Sequence, residues 1–336
     1  MAELIDKISE QFAKKRIVII GDLVADQFLH GTIARVSREA PVFILRHDET
    51  ETLAGSAANA AVNVAALGGD AILIGLVGED SDGGALLGEL EQTKVNCRYV
   101  VADKNFRTTT KVRVLAGQHY APRQQVIRID YENTKEISSA VTEQLKKNFY
   151  SAAECADAII ISDYNYGVAD ASIIKAAREI SVASKIPLLV DSRFGLKNFH
   201  GATSATPNQD EVEQILGKKF SINDCVKLRA TLGFESLLIT RGNNGMLLIE
   251  KNKSPVEFAA IGAKEPIDVT GAGDTVIAAY ALGLASGLSF LEAAKIANHA
   301  GGIVVMKKGT ASANLDELLL SLAKNSNSEK NKRQAI

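Results

Sequence analysis

Residues 16–22 read RIVIIGD: an arginine, four β-branched apolar residues in succession, then Gly21 and Asp22. Such a run, without polar alternation, predicts a strand buried on both faces, the kind found inside parallel sheets. It ends on an acid, and open α/β sheets gather their ligands outside the carboxyl ends of the strands. Asp22 is therefore a candidate ligand contact, with an ordinary loop acid as the alternative.

Similar runs recur outward from this one. AILIGLVG (71–78), DAIIISD (157–163), PLLVDSR (187–193) and SLLITRG (236–242) all read as buried strands. Helical patterns separate or follow them at 53–69, 81–92, 136–150, 170–183, 208–217 and 222–232. Strand–helix alternation predicts an α/β fold, a doubly wound and mostly parallel sheet with helices on both faces. Two β-rich excursions, 31–50 and 95–103, interrupt the alternation and are expected to form a small β lid over the site. RTTTKVRVLA (107–116) and QQVIRID (124–130) also carry period-2 patterns. Lys111 and Arg113 share one strand face, joined by Arg107 if the strand starts there. That face suits an anionic substrate or plain solvent. One domain is expected over 1–323, with a polar, disordered tail at 324–336.

The chemistry concentrates in DVTGAGDTVIAAY (268–280). Gly271, Ala272 and Gly273 precede an acid, Asp274, and an apolar run follows. This reads as a tight turn feeding the first turn of a buried helix. Small residues let successive N–H groups converge, and a helix N-terminus favours negative charge. An anion hole beside a carboxylate base is what phosphoryl transfer needs, because that reaction is mostly positioning and charge stabilisation. A glycine-rich connection with an acidic first turn is the structural alternative. Asn59 falls in the first turn of the 53–69 helix, where it faces a ligand or caps the helix locally.

Composition narrows the class. The 336 residues are 46% hydrophobic and 23% charged, with a net charge of −2, so no nucleic-acid partner is expected. Cys97, Cys155 and Cys225 match no metal spacing and read as buried thiols. No signal-peptide core is read in MAELIDKISEQFAKK and no run approaches a membrane span, so the cytoplasm is the expected location and no membrane partner is expected. GDLVAD follows the first strand where a dinucleotide site would show G-x-G-x-x-G, which argues against a dehydrogenase.

At this point the sequence resembles the ribokinase-like (PfkB) sugar kinases. AGSAAN (54–59), with Gly68 and Gly78 beyond it, fits one signature, and DVTGAGDTVIAAYA (268–281) fits the other. TPNQDE (206–211) and TRGNNG (240–245) lie in the right order between them, and the likeness runs from about Arg16 to Leu320. Within that family it looks most like the kinase half of the heptose-7-phosphate kinases of lipopolysaccharide precursor synthesis, through RVSREAPV (35–42), RTTTKVRVLA, QQVIRID and DVTGAGDT. Some of those enzymes carry a second, nucleotidyl-transferring domain, an activity not expected of this chain. Ala54 stands where many members have Gly, and DSR (191–193) replaces the commoner Asp-Pro-Lys near the nucleotide phosphates.

The resemblance implies roles residue by residue. Asp274 would be the base for the acceptor hydroxyl, and Gly271, Ala272 and Gly273 the anion hole. Asn208 and Glu211 would organise Mg2+ through its waters, as suits a hard cation with few protein ligands. Thr240, Gly242 and Gly245 would line the ATP phosphates and ribose, and Asn298 the adenine. Asp22 and Asn59 would hold the sugar hydroxyls, and Arg107, Lys111 and Arg113 a substrate phosphate. Asp268, Thr270 and Gly309 lie where relatives hold a monovalent cation such as K+. A homodimer through the lid is implied as well.

Overall fold

The run at 16–22 becomes the middle of the molecule. In the computed structural model, which describes residues 2–118, 123–133, 136–262 and 265–334, it forms strand β1 (Arg16–Gly21). Ile17 and Ile19 enter one hydrophobic core and Val18 and Ile20 the other. That two-sided burial is why the run carries no polar alternation.

The remaining strands are β2 (Leu23–Val36), β3 (Phe43–Ser56), β4 (Asp70–Gly78), β5 (Asn96–Asp103), β6 (Thr109–Gly117), β7 (Gln124–Tyr131) and β8 (Ala158–Asp163). They continue with β9 (Leu188–Ser192), β10 (Ser204–Ala205), β11 (Ser236–Thr240), β12 (Met246–Glu250) and β13 (Val256–Phe258). The large sheet runs β13-β12-β11-β10-β9-β8-β1-β4-β5. Its pairings from β11 to β5 are parallel, and β12 pairs antiparallel with both neighbours. Helices Ala57–Ala66, Ala272–Ala285 and Phe290–Val304 cover one face. Helices Ser139–Ala153, Ala171–Ser184 and Ile222–Leu232 cover the other. This is the doubly wound α/β architecture that the alternation predicts.

The second sheet runs β3-β2-β6-β7, with β2 and β6 parallel and the two outer pairings antiparallel. It departs from the expected lid in one strand. Residues 96–103 extend the parallel register of β4 as the edge of the large sheet, and β6 and β7 take their place in the small one. Residues 31–50 do belong to it, as the distal parts of β2 and β3. The last helix is Leu315–Gln334. One further expectation fails: Cys155 is exposed, in the connection between helix Ser139–Ala153 and β8, while Cys97 is half-buried and Cys225 buried.

Candidate active site

The carboxyl ends of β8 and β9 converge on the N-terminus of helix Ala272–Ala285, where Tyr164 and Asp191 line one cavity with Gly271, Ala272, Gly273 and Asp274. That helix starts at Gly271, whose φ of +75° suits glycine. A Cβ there would also come within 2.5 Å of the Asn59 amide nitrogen. Close approach is the point. Asn59 Nδ2 donates to Asp274 Oδ2 at 2.7 Å. Asn63 Nδ2 donates to Asn59 Oδ1 at 3.1 Å, and Thr275 Oγ1 donates to Asn63 Oδ1 at 2.8 Å. The relay fixes the Asn59 amide with its NH2 toward the carboxylate. Asn59 is thus neither a local helix cap nor free for a ligand with that donor.

Asp274 is 3% exposed. Burial pushes its carboxyl up to about 7, and Asp26 adds to that, against the pull of Asn59, Tyr164 and Lys111. A carboxylate poised near neutrality is suited to take a proton. In the turn before it, the Ala272 N–H donates to the Val269 carbonyl at 3.2 Å. The Gly273 and Asp274 N–H groups, in the first helical turn, have no intrahelical acceptor by geometry. A Cβ on Gly273 would meet no protein atom within 4 Å. The glycine leaves that space open.

Two cavities adjoin there and share Thr240, Val269, Ala272 and Gly273. One is apolar, lined by Gly242, Gly245, Val276, Asn298 and Gly302 among others. Asn298 Nδ2 donates to the Ala259 carbonyl at 2.8 Å at its wall. The other is polar, with Asp191, Arg193, Asn208, Glu211 and Asp274 in its lining. Asn208 and Glu211 form a capping box: Asn208 Oδ1 accepts from the Glu211 N–H and Glu211 Oε2 from the Asn208 N–H, both at 2.9 Å. Burial raises the Glu211 carboxyl. Asp191 is raised well above its usual range, by burial first and then by Glu211 and Asp274. Nearby, Asp268 ties its expected partners together, Oδ1 accepting from the Thr270 N–H at 2.9 Å and Oδ2 from the Gly309 N–H at 3.0 Å. Among the described residues no group of three or more His, Cys, Asp and Glu side chains is placed to hold a metal.

On the lid side, the face carrying Lys111 and Arg113 is turned inward and is not a solvated face. Arg113 Nη1 pairs with Asp26 Oδ1 at 2.6 Å, both nearly buried. Lys111, 7% exposed, lies 5.4 Å from the Tyr164 ring centroid and 5.9 Å from that of Tyr166, and burial lowers its pKa. Arg107 precedes β6 and stacks 4.3 Å over Tyr131. Asp22 departs from the expected sugar contact. Its Oδ2 accepts from the N–H groups of Tyr164 and Tyr166, at 2.8 and 3.0 Å, and its Oδ1 from Val168 at 3.1 Å.

The pfkB family carbohydrate kinase profile matches residues 14–317. This chain belongs to the pfkB family of carbohydrate kinases. It is a phosphotransferase with an alcohol acceptor. The bifunctional protein HldE of Nitrosococcus oceani is 40% identical over 318 residues, 93% of this chain and 64% of that protein. HldE of Haemophilus influenzae is 37% identical over 317 residues, 92% of this chain and 64% of its own length. The chain thus spans 64% of the length of these relatives. Arabidopsis thaliana ribokinase, solved with ribose and ATP, superposes with a TM-score of 0.67 at 21% identity, over 92% of this chain and 98% of that one. Escherichia coli phosphofructokinase-2 with potassium gives 0.74 at 17% identity, over 93% and 99%. Both show the ribokinase-like fold.

Several residues of this pfkB kinase site escape the sequence reading, Asp26, Asn63 and Tyr164 among them, while Asp191 and Arg193 entered it only as the ends of the DSR stretch. Asp191 and Arg193 end a buried strand as Asp22 does, which is the one local signal for them. No spacing links Asn63 to Thr275, 212 positions away. No helix among the described residues is long and apolar enough to cross a membrane.

Proposed function

We propose that this kinase transfers the terminal phosphoryl group of ATP to the anomeric hydroxyl of D-glycero-β-D-manno-heptose 7-phosphate, giving the 1,7-bisphosphate for lipopolysaccharide precursor synthesis. The observation that carries the reaction is Asp274, buried near neutrality at the mouth of a helix N-terminus, between a polar cavity and the lid. The substrate reading is supported by the identity to HldE and by an inward-facing cation, Lys111.

In this reading Asp274 accepts the hydroxyl proton while the Asn59 amide holds its carboxylate in line. The Gly271–Gly273 turn and the first-turn N–H groups receive the transferring phosphoryl charge. Adenine enters the apolar cavity beside Asn298, and the phosphates run past Thr240, Gly242 and Gly245. The polar cavity fits Mg2+, because Asp191 and Glu211 are crowded carboxylates that a hard cation would relieve. When bound, the ion would supply neutralisation of phosphate charge, and Asn208 and Glu211 are the residues that would hold it through water. K+ is placed beside Asp268, Thr270 and Gly309 in this reading, where the Asp268 carboxylate supplies the negative charge and already accepts from the Thr270 and Gly309 N–H groups. Lys111 and Arg107 are the cations left for the sugar phosphate, since Arg113 already neutralises Asp26.

The lid presents apolar side chains to solvent, including Phe43, Val126, Ile127 and Ile129. A homodimer that covers them fits this surface. Light scattering at micromolar concentration tests it, and a strict monomer removes the dimer. The function itself is tested by ADP release from ATP with a panel of sugars and sugar phosphates. A clear preference for heptose 7-phosphate is expected. A preference for an unphosphorylated sugar would replace the substrate.

A further inference from the structure

Asp22 sits just past the central strand, 1% exposed, and spends its whole carboxylate on one turn of the chain. The N–H groups of residues 164, 166 and 168 point at it, while the Asn165 N–H points the other way, to Asp163 Oδ1 at 2.9 Å. Alternate N–H groups of this turn are therefore held from two sides by two buried acids. The residues so held are the ones that meet the reaction centre. Tyr164 Oη donates to Asp274 Oδ1 at 3.4 Å, on the oxygen that Asn59 leaves open. Tyr164 and Tyr166 flank Lys111 with their rings. Tyr166 Oη donates to Glu132 Oε1 at 2.8 Å, where the chain leaves lid strand β7.

We infer that Asp22 is a positioning residue: through the backbone of 164–168 it sets the Tyr164 hydroxyl on the base and both tyrosine rings around Lys111. Charge and shape both matter. A carboxylate has two acceptor oxygens and no donor, which suits three N–H groups. An amide in its place sets an NH2 against at least one of them. The inference rests on Asp274 as the base, proposed above.

The consequence is a coupling that a merely structural acid would not produce. Tyr164 donates to the ionised carboxylate and favours it, so losing that bond raises the Asp274 pKa and moves the acid limb of kcat to higher pH. One lost hydrogen bond corresponds to about half a unit to one unit. Misaligning the base costs about ten- to a hundred-fold in kcat.

The experiment measures kcat against pH for the full chain with ATP and D-glycero-β-D-manno-heptose 7-phosphate, in Asp22→Asn, Tyr164→Phe and the double variant. Each single variant is expected to lower kcat and move the acid limb upward, and Tyr164→Phe should add little in the Asp22→Asn background. Additive losses, or an Asp22→Asn variant that lowers only the melting temperature, overturn the inference. If Asp22→Asn does not fold, Gly167→Ala takes its place. That residue has φ +103° within the same turn, so alanine strains the turn without touching Asp22. It must shift the limb as Tyr164→Phe does, and an unmoved limb in either overturns the inference. Asp274→Asn separates the two readings. Retained turnover there removes the base and this role with it, whereas an inactive Asp274→Asn beside additive Asp22 and Tyr164 losses removes the positioning role alone.

Discussion

The Asn59 amide and the Asp274 carboxylate, 215 positions apart in the chain, meet at 2.7 Å in the interior. The contact joins the two stretches that carry the family likeness. It explains the glycine at 271, since a Cβ there would occupy the path of the amide. It also holds one carboxylate oxygen in place and leaves the other toward Tyr164.

Replacing the base should separate chemistry from stability. Asp274→Asn is expected to lower turnover by about 10²–10⁴ while ATP binding, read by calorimetry, persists. The native carboxyl is raised from 3.8 to about 7, so the fold is favoured with the group protonated, and that contribution is lost as pH rises through about 7. The amide variant should therefore be more stable to unfolding than the native chain at pH 8, by on the order of a few kcal/mol, and show little gain near pH 4. Turnover within tenfold of native would reject the base.

Asn59→Asp puts a second buried carboxylate against the first, and two such groups resist ionising together. The acid limb of kcat should move upward, so that activity lost at pH 7 returns in part by pH 9. Equal loss at every pH would instead mean a damaged fold.

The two inward cations should respond in opposite ways. Arg113→Ala strands Asp26 as an unpaired buried charge and should destabilise by about 3–5 kcal/mol. Lys111→Met keeps the apolar stem among Tyr164 and Tyr166 and should spare the melting temperature. Its kcat/KM for the phosphorylated sugar should fall about ten- to a hundred-fold, with a smaller change for the unphosphorylated one. Equal losses on both sugars would take Lys111 out of phosphate binding.

Asn208→Ala removes half of the capping box and should cost about 1 kcal/mol of stability. In the proposed role, Asn208→Ala and Glu211→Ala also raise the Mg2+ midpoint of the rate more than the sugar KM. Magnesium titration beside thermal melts checks both at once. A lowered melting temperature with an unchanged midpoint would leave only the cap.

The α/β fold was legible because its cause is local. A strand buried on both faces must be apolar at every position, and RIVIIGD states that in seven letters. Glycines beside an acid at a helix start likewise mark a candidate anion site, with an ordinary acidic first turn as the alternative reading of the same letters. Edge strands are less legible. Residues 95–103 carry the same alternation whether they pair with β4 or with the lid, and only the parallel register with β4 places them in the large sheet.

The site's wiring lies beyond any local pattern. Asp22, Asp26 and Asp274 are the same residue type near element ends, and the sequence offers no rule for which meets the substrate. Tertiary packing sets their environments apart, by where donors fall. Three backbone N–H groups hold Asp22, an arginine neutralises Asp26, and an amide and a tyrosine hydroxyl, one on each oxygen, hold Asp274 in a buried pocket. Composition and periodicity determined the scaffold, because they follow from burial. The assignment of charge to each acid waited on contacts between residues 87 to 215 positions apart, because hydrogen bonding is directional and short-ranged.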